Sequence, residues 1–278
     1  MMDKADKYKR ILIYVFMAIL TLMSIFPFWV VLVNATRSAE QIQQGLSIFP
    51  GSNLGYNWNV LMEKQFDIFG GFKNSFIISA CSTVLSIYFS AMAAYGLVAY
   101  KFKGRKILYA GILGLVMIPT QISMIGFYQF VSKMNLLNNY IPLILPAIAS
   151  PATIFFFKQY LETIYHPDLP DSARLDGAGE IKIFHRIILP LMTPAMATMS
   201  IFAFVSSWNN FLMPLILIND TDKYTLPMLI QLLKTDMYRT EFGSMYLGIS
   251  LSIAPLLIMY FILSKYIIRG VTAGGIKG

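Results

Sequence analysis

Long apolar runs separated by short polar ones dominate the chain. Six runs are long enough to cross a bilayer, at about residues 11–33, 74–99, 107–131, 140–157, 187–218 and 245–264. A hydrocarbon core of about 30 Å needs about 20 helical residues, so each run predicts one transmembrane helix. The fifth is longer than a crossing requires, so its ends should include interfacial residues. The pattern predicts an all-α, polytopic membrane protein with six transmembrane helices. It divides into residues 1–73 (N-terminal segment, first helix and external loop), a core over 74–268 that carries a polar loop at 158–190, and a tail over 269–278. The first run is too long for a signal-peptide core and has no small-residue cleavage pattern after it, so it reads as a retained span.

The most polar long stretch interrupts this pattern between the fourth and fifth runs. Residues 168–195 read DLPDSARLDGAGEIKIFHRIILPLMTPA. The expectation is a short helix, a glycine break, and a second helix entering the membrane from Ile181 to Pro190. Asp168 is expected to cap the first helix, with Asp171 in the capping-box position and Pro170 in the first turn. Gly177 and Gly179 end that helix. So short a helix is marginal in isolation and calls for a docking partner.

Composition agrees with the spans. Of 278 residues, 56% are hydrophobic and 13% charged, against about 25% charged in soluble domains. The one cysteine, Cys81, lies in an apolar run, so there is no disulfide framework. The net charge of +8 raises nucleic acid as a partner, but its placement answers otherwise. Counted by alternate loops, fifteen Lys and Arg fall with the termini and the 158–186 loop, and seven fall with the other loops. The positive-inside rule places both termini and that loop in the cytoplasm.

All Lys, Arg, Asp and Glu lie outside the six predicted runs, and both histidines, His166 and His185, lie in the polar loop. Ion-coupled carriers usually hold ionisable groups within the membrane, so the energy for any transport should come from elsewhere. The chain has no G-x-x-x-x-G-K-[ST] phosphate loop to hold ATP itself. The acids and histidine of the polar loop (Asp168, Asp171, Asp176, Glu180, His185) read as solvated helix faces.

Pro119, Pro146 and Pro151 break the third and fourth runs, as packing kinks or as a pathway. Gln121, Trp208, Asn209 and Asn210 are candidates for a substrate pathway, because an indole and amides offer a sugar a flat apolar face and hydrogen bonds. A Trp near the external end is more often an interfacial anchor, which is the alternative for Trp208, and Tyr56 and Trp58 read as interface anchors. In the external loop 219–244, Pro227 to Met237 predicts a short helix, consistent with a docking element. The Gly-rich ending from Arg269 to Gly278 reads as a flexible terminus.

Residues 168–195 also resemble the "EAA" loop of the membrane subunits of ATP-binding-cassette (ABC) importers. Asp171, Ser172 and Ala173 stand at the EAA positions, Asp176, Gly177 and Ala178 at the Asp-Gly-Ala, and Ile187 to Pro190 at the ending. Asp171 replaces Glu and Ser172 replaces Ala. SIFPGSNLGYNW, MIPTQISMIGFY with LLNNY, SSWNNF through NDTDKYTLP, and RGVTAGGIKG resemble the carbohydrate-uptake, maltose-type branch.

The resemblance implies a type I importer permease of the bacterial inner membrane that carries di- or oligosaccharides. Its implied partners are a second homologous permease, two nucleotide-binding ATPase subunits, an extracytoplasmic solute-binding protein, membrane lipid and the sugar, with no nucleic acid. ATP and Mg would be used by the ATPase, with no cofactor on this chain. Asp171, Ser172, Ala173, Asp176, Gly177, Ala178 and Pro190 would couple to that ATPase. Asp222, Tyr224, Thr225 and Pro227 would meet the binding protein, and the tail would reach the ATPase dimer. An ion-coupled secondary transporter and a membrane-embedded enzyme are the competing classes.

Overall fold

The computed structural model describes residues 4–62, 67–235 and 241–274, and among them the regular structure is helical throughout. Lys64, Arg239 and Lys277 of the charge count, and Met237 at the end of the predicted external helix, lie outside the described residues. In chain order the helices are α1 (Lys4–Asn34), α2 (Ala39–Gln43), α3 (Leu54–Leu61), α4 (Ile68–Ala99), α5 (Arg105–Val116), α6 (Thr120–Lys133), α7 (Ile141–Ile144) and α8 (Pro151–Ile164). They continue with α9 (Asp168–Leu175), α10 (Glu180–Ile183), α11 (Leu189–Leu191), α12 (Thr193–Trp208), α13 (Leu212–Leu217), α14 (Leu226–Thr235) and α15 (Phe242–Gly274).

Four stretches are long and apolar enough to span a bilayer without a sharp bend: Tyr8–Asn34, Ile68–Ala99, Ile141–Ile164, which is interrupted between α7 and α8, and Phe242–Lys265. The third and fifth predicted spans are bent pairs, α5 with α6 and the run 180–191 with α12; with each pair counted as one span the total among the described residues is six. Pro119 separates α5 from α6. It has no N–H to continue the ladder and biases Ile118 away from helix, so the break falls where the sequence puts it.

The second bend, of 79°, lies at Met192. Pro190 and Pro194 flank it, and their missing N–H groups disturb the ladder on both sides. Upstream, Phe184–Ile188 widens into a π-turn. Glu180, Lys182, His185 and Arg186 are too polar for hydrocarbon, so the apolar part of this span begins at Ile187.

Several expectations change. Asp168 is the first helical residue of α9 rather than its cap; Pro167 holds the cap position and no side chain caps the helix. The Asp171 N–H already bonds the Pro167 carbonyl at 3.0 Å, which starts the helix one residue early and leaves no capping box. Gly179 is extended and begins α10 instead of ending α9. The fourth span runs on to Ile164, which places Lys158 and Glu162 on a helix. Lys158 is buried, ion-paired with Glu162 at 2.7 Å and lying 4.3 Å from the Tyr109 ring centre. Lys73 lies inside α4. Over 269–274 the tail is helical and continues α15, while 275–278 of the predicted tail lie outside the described residues.

Two compact units emerge, residues 1–68 with 229–254, and residues 69–228 with 255–278. In the first, Arg37 is buried and donates to the Asn34 side chain at 3.1 Å and to the carbonyls of Gly45, at 2.9 Å, and Gln41. Asn57 bonds the carbonyls of Ala35 and Arg37. Gly243 packs on the same knot, where a Cβ would come within 2.4 Å of the Arg37 carbonyl. Trp58 and Tyr56 remain on the surface.

The second unit holds the polar loop. Its core gathers Ala91, Ala94 and Tyr95 of α4, Phe157 and Leu161 of α8, and Ile183, Phe184, Ile188 and Met192 around the bend. Ser75, Ser79, Ser82, Thr83, Ser86 and Ser90 are all buried along α4. Small hydroxyl residues allow close helix approach in a membrane, and Ser86 meets Thr153 of α8 at 3.5 Å.

Candidate coupling loop and transport path

Helix α9 ends in a turn that only a few sequences can make. Gly177 has φ +78°. Its N–H bonds the Arg174 carbonyl at 3.0 Å, and the Ala178 N–H bonds the Ala173 carbonyl at 2.9 Å. This is a Schellman motif, with glycine in its left-handed position. Ala173 and Ala178 both pack against the core beneath. Small residues at these two places let the helix lie flat on that core.

One side of α9 is therefore anchored through Pro170, Ala173 and Ala178, and the other faces out. Leu175 is 90% exposed and Leu169 47% exposed. With Ser172 they form one i, i+3, i+6 row. Ser172 donates to the Leu169 carbonyl at 3.0 Å. Asp171 and Asp176 are also exposed. Asp171 suits the first turn, whereas Asp176 sits at the C-terminal end, where an acid opposes the helix dipole. Helix stability does not account for Asp176. Pro190 is exposed and distant in sequence from this face, and it belongs to the bend.

Glu180 and His185 are not merely solvated. Arg174 grips Glu180 with two bonds, Nε to Oε1 at 2.7 Å and Nη2 to Oε2 at 3.2 Å. Its Nη1 reaches Asp171 at 2.5 Å. From the end of α4, the Tyr100 hydroxyl bonds Glu180 Oε2, and the Tyr95 hydroxyl lies 3.4 Å from the same oxygen. Hydrogen bonds from Arg174 and then Tyr100 hold the Glu180 carboxylate down at about 2. The same carboxylate raises the Arg174 guanidinium. Burial, then the bond to Glu180, raises the Tyr100 hydroxyl. His185 bonds the Ile181 carbonyl through Nδ1 at 2.7 Å and the Tyr88 hydroxyl through Nε2 at 3.1 Å.

The transport-path candidates divide. Trp208 is 2% exposed and stacks on Phe204 at 5.7 Å, with Phe72 tilted against it at 5.9 Å. It is a core residue here, with its indole packed between aromatic rings instead of open to a ligand. Asn209 caps the end of α12 and is exposed. Gln121 is exposed near the start of α6. Asn210 lines a cavity of about 490 Å³ among the broken helices, with Ser123, Phe127, Pro146 and Pro151.

The loop 219–227 is held by residues that the sequence reading missed. Asn74 donates to the carbonyls of Asp222 and Tyr224 at 3.0 Å each, and the Ser75 hydroxyl accepts from the Leu226 N–H at 2.8 Å. Asn138, at φ +57°, bonds the Leu217 carbonyl and accepts from the N–H groups of Asn219 and Asp220. An asparagine pair after Leu136-Leu137 is a usable signal for such a left-handed position. Asp222 is exposed, Tyr224 and Pro227 are half-buried, and Thr225 is buried, so the Thr225 side chain lies inside the loop. The predicted external helix is present as α14, which starts at Leu226.

Comparison with known proteins matches this architecture. The arabinooligosaccharide transport permease of Bacillus subtilis is 36% identical over 272 residues, covering 97% of this chain and 96% of that protein. The trehalose/maltose transport permease of Thermococcus litoralis is 31% identical over 279 residues, covering 99% of each. A crystal structure of a bacterial ABC transporter involved in import of the acidic polysaccharide alginate shares the fold, with TM-score 0.78 over 96% of this chain and 99% of that one, at 22% identity. Residues 86–273 match the family described as binding-protein-dependent transport system inner membrane components. With most of its length inside that match and full-length relatives on both sides of it, the chain belongs to that family of multi-pass transport permeases.

Proposed function

We propose that this chain is the membrane-spanning permease subunit of an ATP-driven, binding-protein-dependent importer of di- or oligosaccharides, and that α9 is its docking helix for a separate ATPase subunit. The observation that carries the reading is a helix anchored on its inner side to a buried core while its outer row, Leu169, Ser172 and Leu175, faces out. A helix held this firmly moves as a body when pushed. Asp176, unfavourable to its own helix, is available to a partner. Asp171, Ser172, Ala173, Gly177 and Ala178 shape the docking element, and Pro190 helps set the bend that follows.

The substrate class rests on the relatives, whose names specify arabinooligosaccharides and trehalose/maltose. On this reading the polar loop and both termini are cytoplasmic, in keeping with the surplus of basic residues there. The loop 219–227 faces out, where Asp222, Tyr224 and Pro227 meet the binding protein and Thr225 supports them from within. Asn210 contacts the passing sugar from its cavity, with Gln121 and Asn209 near the route. A second permease completes the pathway, and ATP with Mg acts in two ATPase subunits.

Co-purification of an ATPase with the chain, and its loss in Leu175→Asp, tests the docking. Uptake of labelled arabino-oligosaccharides and maltodextrins that requires ATP supports the reading. Uptake driven by a sodium or proton gradient without ATP overturns it in favour of a secondary carrier.

A further inference from the structure

The turn at Gly177 creates a mechanical problem. Core contacts at Ala173 and Ala178 carry α9 as a body, but its backbone link to the span that follows runs through a left-handed glycine, where part of a push would be lost in the turn. The structure spans that turn with a brace. Arg174 stands before Gly177 and Glu180 after it, joined by two hydrogen bonds of 2.7 and 3.2 Å. Paired bonds between a guanidinium and a carboxylate fix orientation as well as distance. On its far side the same carboxylate is tied to Tyr100 and Tyr95 at the end of α4. Tyr95 is itself buried and stacked on Phe184 at 5.9 Å, so this end of the brace is set in the core.

We propose that Glu180 is a positioning residue for energy coupling, locking the docking helix α9 to α4 so that displacement of α9 passes into the membrane spans instead of into the Gly177 turn. This rests on the reading of α9 as the ATPase-docking element. Glu180 touches neither nucleotide nor sugar in this role; it acts through Arg174 and the two tyrosines. Its depressed carboxylate accords with a group that stays charged and bonded at neutral pH.

The test uses the whole transporter, purified with its own ATPase and binding protein and reconstituted in vesicles, with labelled arabino-oligosaccharides and maltodextrins as probes. Sugar uptake and ATP hydrolysis are measured together. Glu180→Ala should leave assembly and hydrolysis largely intact and lower sugar moved per ATP about tenfold, within the range that coupling residues cover. Glu180→Gln keeps one acceptor oxygen, enough for Tyr100 and one arm of Arg174, but sets an amide N–H against the other arm, so it should recover only part of that loss. Tyr100→Phe should show a smaller defect of the same kind.

The proposal is overturned if Glu180→Ala moves as much sugar per ATP as the wild type. It is equally overturned if uptake, hydrolysis and assembly fall together, because the residue then only maintains the fold. Leu175→Asp serves as the control on docking. If that variant still binds the ATPase normally, the docking reading itself fails. If it does not bind while Glu180→Ala behaves as wild type, only the brace is wrong.

Discussion

Gly177→Ala isolates backbone strain from crowding. A Cβ built at Gly177 meets nothing within 4 Å, so added bulk costs little by contact. The φ of +78° remains, and an L-residue held in the left-handed region costs roughly 1–2 kcal/mol. An energy of that size changes a local population by about 5- to 30-fold. The two closing bonds of the turn, from Gly177 to Arg174 and from Ala178 to Ala173, should open more often by that factor. Amide hydrogen exchange over 168–178 measures this directly, and protection at Gly177 and Ala178 should fall accordingly. Gly177→Asn should lose less, because asparagine tolerates this region better. Gly177→Asp or Gly177→Arg should add charge at the docking face and uncouple uptake from hydrolysis while membrane insertion is retained. Equal protection in the wild type and the alanine variant would refute the strain argument.

Met192 is fully buried at the bend, and Met192→Ala should lower unfolding stability by about 2–5 kcal/mol, as a shifted denaturant midpoint would show. Asn138→Ala removes the acceptor for two N–H groups and a residue type that, glycine aside, tolerates a left-handed φ best; amide exchange at Asn219 and Asp220 should quicken. Glu180 supplies a pH signature. Its folded carboxylate lies at about 2 against an ordinary 4.5, so its stabilisation is complete above pH 4.5 and is lost as pH falls towards 2. The side chain is 47% exposed, so the effect is at most about 1 kcal/mol. Melting curves of Glu180→Gln should match the wild type's pH dependence from 5 to 8 and lack its extra fall below pH 4.5.

What could be read from the chain depended on how local its cause was. Pro119 breaks a span through its own missing N–H, and Gly177 ends a helix through its own φ, so both were visible residue by residue. The six spans followed from length and apolarity alone, although the third and fifth are bent. The start of α9 was misplaced by one residue because Asp168 is a good cap by type, whereas the carbonyl of Pro167 makes the first helical bond. Trp208 looked available for a sugar because its neighbours in sequence are polar; its neighbours in space, Phe72 and Phe204, are aromatic. Such burial depends on pairing across the fold, which periodicity does not carry.

The same distinction explains why Glu180 reads in sequence only as a solvated acid. In sequence it is one acid among five in a polar loop. Its partners are chosen by the left-handed turn, which folds Arg174 back across Gly177, and by α4, which delivers Tyr100 from 80 residues away. The residue that marks the loop in sequence and the residue that stiffens it are therefore different. Gly177 lets the chain reverse, and the reversal brings Arg174 to Glu180. A loop that needed only to reverse would gain nothing from a carboxylate tied to two donors of Arg174 across the turn and to two tyrosines at the end of α4. A loop that must pass on a push needs its reversal made rigid, and the network of Arg174, Glu180, Tyr100 and Tyr95 is the part of the structure that makes it so.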